Sequence, residues 1–259
     1  MKFNEYTKYF SAAWELLIDL PLPKFLKKED TVKKYGVEVQ YALPLVGLAL
    51  GFLIVIAGVI LSGMNQIAAA MIFAVSMAIL MIIKDSGRGL GALVLFFELK
   101  RENVSTVAAL YHMRTEVRNV QSMPAIISIV IIMHLYLLAF FLVSFYNFYY
   151  WMIMVLVFSF TVQAALAALP LHRNKTPIIA TPRHGHNHLW TIAGFIALFI
   201  FIKSPYATLI TAALAFLGTR LLSRFVMKNL RGISTEIIGL VGFVFEIVAL
   251  LIGIVFLQT

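Results

Sequence analysis

The chain has no cysteine, which excludes disulfides and thiolate metal sites. It is also short of charge. Charged residues are 13% of 259, about half of what a soluble domain needs to keep its surface wet. Acids are the scarcer sign, at 12 against 21 Lys and Arg, and six of them lie before residue 40. That leaves Asp85, Glu98, Glu102, Glu116, Glu236 and Glu246 for the remainder. No Gly-Lys-Ser/Thr follows a glycine run, so there is no Walker-type phosphate loop. The start lacks a basic head, short apolar core and small-residue cleavage site, and no removable signal peptide is expected.

What is present is hydrophobic. Apolar residues are 61% of the chain, and the mean hydropathy is +0.93. A helix needs about 20 mostly apolar residues to cross a bilayer. Stretches of that kind fall at about 42–62, 66–83, 124–145, 147–170, 189–203 (short), 205–225 and 234–257. These predict an all-α, polytopic membrane bundle of about seven transmembrane helices. Leu90 to Phe97 is apolar but cannot cross, and is expected as a half-inserted or packed helix within the long connection 84–123. Residues 1–41 form a separate segment, in which Tyr6, Phe10, Trp14, Leu17 and Ile18 at helical spacing fit an interfacial helix ended by Pro21 and Pro23. A short helix packed on the bundle is the alternative there.

The cations sort by connection. All but Lys203 lie before residue 41, in 84–123, in 171–188 or around 226–233, which are alternate connections. By the positive-inside rule the N-terminus and these loops are cytosolic, in the inner or plasma membrane, with any site facing the cytosol. The +9 balance then belongs to membrane topology, and no nucleic-acid partner is expected.

Three clusters stand out as candidate sites. Lys84-Asp85-Ser86-Gly87-Arg88-Gly89-Leu90-Gly91 interrupts the apolar pattern where a span should end. Its glycines let backbone approach a phosphate, and Lys84 and Arg88 can pair with the charge; a helix-ending turn with snorkelling cations is the plainer reading. Glu246, about ten residues into the last span, is costly at that depth and so a candidate by default. A buried partner among Arg220, Arg224 or His134 would make it structural. Glu236 sits where a helix N-terminus favours an acid. His184, His186 and His188 have spacing compatible with a metal, but no acid or cysteine accompanies them.

Three stretches carry a family resemblance. Leu20-Pro21-Leu22-Pro23 is similar to an early Leu-Pro-Val-Pro element. Leu43-Pro44-Leu45-Val46-Gly47 with Gly51 is similar to Phe-Pro-Leu-Val-Gly-x-x-x-Gly. Leu230-Arg231-Gly232-Ile233-Ser234-Thr235-Glu236 with Gly239 and Glu246 is similar to Leu-Gly-Gly-x-Thr-Gly-Asp-x-x-Gly followed by two glutamates. In that order they resemble cobalamin-5′-phosphate synthase, the membrane adenosylcobinamide-GDP ribazoletransferase. The resemblance implies transfer of a GDP-activated cobinamide to alpha-ribazole or its phosphate, with Mg²⁺ as cofactor.

It also implies roles for particular residues. Asp85 and Arg88 would be catalytic, and Lys84, Ser86, Gly87, Gly89, Gly91, Arg231 and Gly232 would bind ligand phosphate. Asp85, Glu236 and Glu246 would hold metal, with Glu98 and Glu102 as substitutes. The family's Asp-Gly-Leu-Ala-Asp-x-x-Asp-Gly signature is reduced here to Asp85-Ser86-Gly87-Arg88-Gly89, and Phe243 replaces one closing glutamate. Mg²⁺ favours an oxygen octahedron with carboxylates and phosphates. The expectation is therefore a divergent, catalytically degenerate relative that keeps a cytosol-facing cavity for a phosphorylated, partly apolar ligand such as a corrinoid. It would act as a homo-oligomer or as partner to an active homologue. The alternatives are an active Mg²⁺-dependent transferase with a rebuilt metal site, and a small transporter, for which no convincing repeat between the halves is visible.

Overall fold

The computed structural model describes residues 9–15, 18, 37–84, 88–112, 123–169, 191–197, 204–230 and 233–257. The described elements are helices: 9–15 (α1), α2 Val37–Leu61, α3 Gln66–Ile83, α4 Arg88–Arg101, α5 Thr106–His112, α6 Met123–Phe145, α7 Trp151–Ala167, 191–197 (α8), α9 Pro205–Leu230 and α10 Thr235–Leu257. Four have the length and hydropathy to cross a membrane, over Ala42–Leu61, Gln66–Ile83, Pro205–Leu230 and Glu236–Phe256. Shorter apolar stretches occupy Ile129–Phe145 and Trp151–Ala167. These six correspond to six of the expected spans. Most of 189–203 lies outside the described residues.

Local chemistry sets the helix ends. Asn65 caps α3, its side chain accepting from Ile67 and Ala68 N–H. α6 stops at Asn147, whose φ of 57° is left-handed. There Phe148 N–H reaches the Val143 carbonyl and Asn147 N–H the Ser144 carbonyl, a Schellman closure. α7 consequently begins at Trp151 rather than 147. Asn103, with φ 59°, closes α4 in the same way through Val104 to Leu99 and Asn103 to Lys100.

Side-chain bonds bring several termini to one end of the bundle. Gln66 Nε2 donates to the Phe145 carbonyl (2.9 Å), joining the start of α3 to the end of α6. The Tyr150 and Ser204 hydroxyls lie 3.2 Å apart, and Trp151 Nε1 donates to the Ala249 carbonyl (2.9 Å). The turns at 62–65 and 146–150 and the start of α9 therefore share this end, called here the turn end. The starts of α2, α4, α6 and α10 and the ends of α3, α7 and α9 define the opposite, basic end.

α7 is the centre. All of its residues from Trp151 to Ala167 are buried, as expected of a helix that is apolar all round. α2 and α10 lie against it, with α9 alongside. Between apolar helices in lipid, close approach requires small residues. Gly47 and Gly51, one turn apart on α2, meet α7 backbone: a Cβ would lie 2.7 Å from the Leu156 carbonyl oxygen and 2.7 Å from Ile153 Cα, respectively. Gly58 faces Tyr149, while on α10 Gly242 and Gly253 make room for Gln163 and Trp151.

α4 is a packed helix, not a span, lying against α10 and α6 with Ala92, Leu93, Val94 and Leu99 buried. In α1, Ala12, Ala13 and Trp14 belong to the same buried core as the bundle. This is the packing arrangement rather than a helix lying only at the interface.

Gly51→Val is expected to cost about 1–3 kcal/mol, because backbone on the α7 side cannot yield to a side chain. Gly91→Ala, with nothing within 4 Å of the added carbon, should be neutral. Thermal unfolding of the two variants in detergent checks this, with a fall in midpoint expected for the first alone.

Candidate functional site

The bundle interior holds a buried ion pair, Lys84 Nζ to Glu246 Oε1, between the C-cap of α3 and the middle of α10. Glu246 is 0% exposed. It lies eleven residues after Thr235, which places it about 16 Å along α10 from the basic end. Helix geometry explains how the two meet. Side chains lean toward the N-terminus of their own helix, and α3 and α10 run in opposite directions. Lys84 thus leans back into the bundle from the basic end, and Glu246 leans out of the middle toward that end.

α7 supplies the rest of the cluster. Ser159 Oγ donates to Glu246 Oε1 (2.8 Å), and Gln163 Nε2 donates to Ser159 Oγ (3.0 Å). Gln163 and Ser159 are one turn apart on the face that meets Gly242. Lys84 Nζ also stands 5.8 Å from the centre of the Phe160 ring, a weak additional attraction. The result is a chain of donors, Gln163 to Ser159 to Glu246, met by the Lys84 ammonium from the other side. Oε1 takes both donors, while Oε2 is buried with no hydrogen-bond partner among the described residues.

The partner of Glu246 is therefore Lys84, and not Arg220, Arg224 or His134. Arg220 and Arg224 are exposed, and His134 Nδ1 bonds the Val130 carbonyl on its own helix (2.7 Å). Lys84 and Glu246, read from the sequence as a phosphate ligand and a metal ligand, are here engaged with each other. Glu236 lies in the first turn of α10 and is exposed. Glu98 is half-buried, with Oε2 enclosed and unpartnered among the described residues. Glu102 is exposed at the end of α4. Gly89 is buried in the first turn of α4 and Gly91 is exposed. Asp85, Ser86, Gly87, Arg231, Gly232, His184, His186 and His188 lie outside the described residues, and of Arg88 only the helical backbone is described. Among the described residues no three His, Asp or Glu side chains group to hold a metal.

A second feature was not read from the sequence. α4, α5, α7, α9 and α10 enclose an open groove of about 390 Å³, walled by Leu93, Phe96, Leu110, Leu222, Leu240 and Val244 among others. Of its two threonines, the Thr219 hydroxyl is already committed to the Ala215 carbonyl. Lys100 stands one helical turn beyond Phe96 on α4 and is exposed, with Nζ donating to the Val104 carbonyl (3.1 Å). It retains donors for an anion.

Removing one member of a buried pair strands the other's charge, at a cost of about 3–5 kcal/mol, whereas removing both leaves no orphan. Lys84→Met and Glu246→Gln are each expected to lower the unfolding midpoint in detergent sharply. The double variant Lys84→Met with Glu246→Leu should recover most of the loss. Unfolding of all three beside the wild type measures this coupling.

Compared with known proteins, the chain matches no family model, no curated protein and no solved structure.

Proposed function

We propose that the chain is a divergent, cobalamin-synthase-like membrane protein that holds a phosphorylated, partly apolar ligand without performing the parent transfer. The observation that carries this reading is the groove. It offers an apolar trough for the hydrophobic part of a ligand, with Lys100 a turn away to meet a phosphate. Its lining residues Leu214, Gly218 and Val244 on α9 and α10 are exposed, which offers an amphiphile a route from the bilayer. The resemblance at Leu43–Gly47 and Leu230–Glu236 supports the family, and the reduction of its acidic signature supports the degeneracy. The engagement of Glu246 by Lys84 adds to this, since a carboxylate neutralised by an ammonium is a poor Mg²⁺ ligand.

The accompanying topology is seven spans, with the N-terminus and the basic end in the cytosol. Two observations support it. The described cations Arg224 and Lys228 belong to the closing turns of α9, which ends at the basic end. Ala167 ends α7 there, whereas Ser204 meets Tyr150 at the turn end, so the described residues on either side of the fifth expected span stand at opposite ends of the bundle.

A transporter is the second reading, and Glu246 favours it. A buried carboxylate with one oxygen unsatisfied is the kind of group that relays protons or ions across bilayers.

Dodecyl phosphate is the direct probe of the ligand reading, with dodecanol and inorganic phosphate alongside, on protein reconstituted in nanodiscs. Dodecyl phosphate is expected to bind at least about tenfold more tightly than either, a difference of about 1.4 kcal/mol. Val244→Trp, which fills the groove from its rim, should remove that preference while leaving the melting temperature unchanged. Binding should be indifferent to Mg²⁺. Binding of GDP-activated cobinamide that requires Mg²⁺ and is abolished by Asp85→Ala would instead establish a working transferase site.

A further inference from the structure

α9 carries Arg220, Arg224 and Lys228 and no acid along its whole length. The three cations are four residues apart, so they rise along one face over about 12 Å. All are exposed, and no ion pair engages them among the described residues. Like charges at this spacing repel each other, so the stripe is incomplete without an anion. The same face continues toward the turn end as exposed apolar surface, with Leu209, Phe216, Leu217 and Leu221 between 44% and 64% accessible. Ala215, Gly218, Thr219 and Leu222, which line the groove, occupy the opposite side of the helix. The stripe is therefore separate from the groove and does not depend on the reading given to it.

The sequence of surfaces along this face is apolar and then cationic, which is the complement of an anionic amphiphile. Arginine adds selectivity, because a guanidinium can take two phosphate oxygens at once. A free phosphate would use the cations but leave the adjoining leucines without a counterpart. We infer that the Arg220–Arg224–Lys228 face of α9 binds an anionic phospholipid. Its phosphate lies between the two guanidinium groups, and its acyl chains run along Leu217, Leu221 and Phe216. Such a lipid neutralises the stripe and fixes the depth at which α9 sits in the leaflet.

The test is native mass spectrometry of the full chain in detergent, titrated with phosphatidylglycerol and with phosphatidylcholine. Phosphatidylglycerol should be retained about tenfold more strongly, and the excess should shrink as ionic strength rises. The exposed double variant Arg220→Gln with Arg224→Gln should lose the excess, whereas Arg220→Lys with Arg224→Lys should keep part of it. Arg101→Gln, on α4, should bind as the wild type does. Equal retention of the two lipids, or a preference that survives the double glutamine variant, would overturn the proposal. Displacement of the lipid by glycerol 3-phosphate at comparable concentration would overturn it too, by showing a phosphate site with no use for the chains.

Discussion

The constraint on which this bundle depends is that α7 has no outer face. A helix in lipid gains nothing by hiding leucine from hydrocarbon, so burial of every α7 side chain must be held by close packing and by hydrogen bonds. The glycines of α2 and α10 provide the first. They let backbones approach until a single added carbon would collide with α7. The polar atoms of α7 provide the second, and they also set its rotation. An apolar helix buried on all sides has no hydrophobic face to orient it, but Trp151 Nε1 on the Ala249 carbonyl and Ser159 on Glu246 admit one azimuth and one height.

The buried ion pair follows from that arrangement. α7 places a hydroxyl in the middle of the bundle, α10 places a carboxylate beside it, and α3 ends close enough for a lysine to reach inward. A lone Glu246 would be intolerable at this depth. With Lys84 it becomes a cross-link between the third helix and the last, 162 residues apart in sequence. Such a pair adds little net stability over a well-packed apolar substitute, yet its members cannot be removed singly. It therefore specifies which helices meet more than it strengthens their meeting.

Helix existence was legible in the sequence, because twenty-residue apolar runs have few other outcomes. The limits of α3 and α10 follow directly from Asn65 and from the Ser234-Thr235-Glu236 start. The beginning of α7 was misjudged because hydropathy cannot distinguish Phe148 and Tyr149 in a turn from the same residues in a helix. What decided it was Asn147, one of two described non-glycine residues with positive φ. The Lys84–Glu246 partnership is hidden for a different reason: the two residues belong to separate motifs 162 positions apart. The usable signal was the small-residue face around Glu246. Gly242 and Ala249 flank it at helical spacing, which marks protein rather than lipid, and Ser159 with Gln163 gave the polar stripe to match. The groove had no signal at all, since its walls are ordinary, mostly apolar residues drawn from five helices.

α9 shows how one span can serve two surfaces. Over its best apolar window it is 22% buried, against 56% for α10, so most of its circumference is uncommitted to protein. One side borders the groove and the other carries the cations. The two sides differ because the chain is short of acids: with 12 Asp and Glu against 21 Lys and Arg, internal pairing cannot neutralise the positive charge. The one buried ammonium described here takes a buried acid. The excess of exposed cations is left to water, counterions or an anionic partner such as the headgroups of a leaflet. The scarcity of acids that weakens the case for metal chemistry thus also leaves the basic end with a positive charge that the chain itself does not balance.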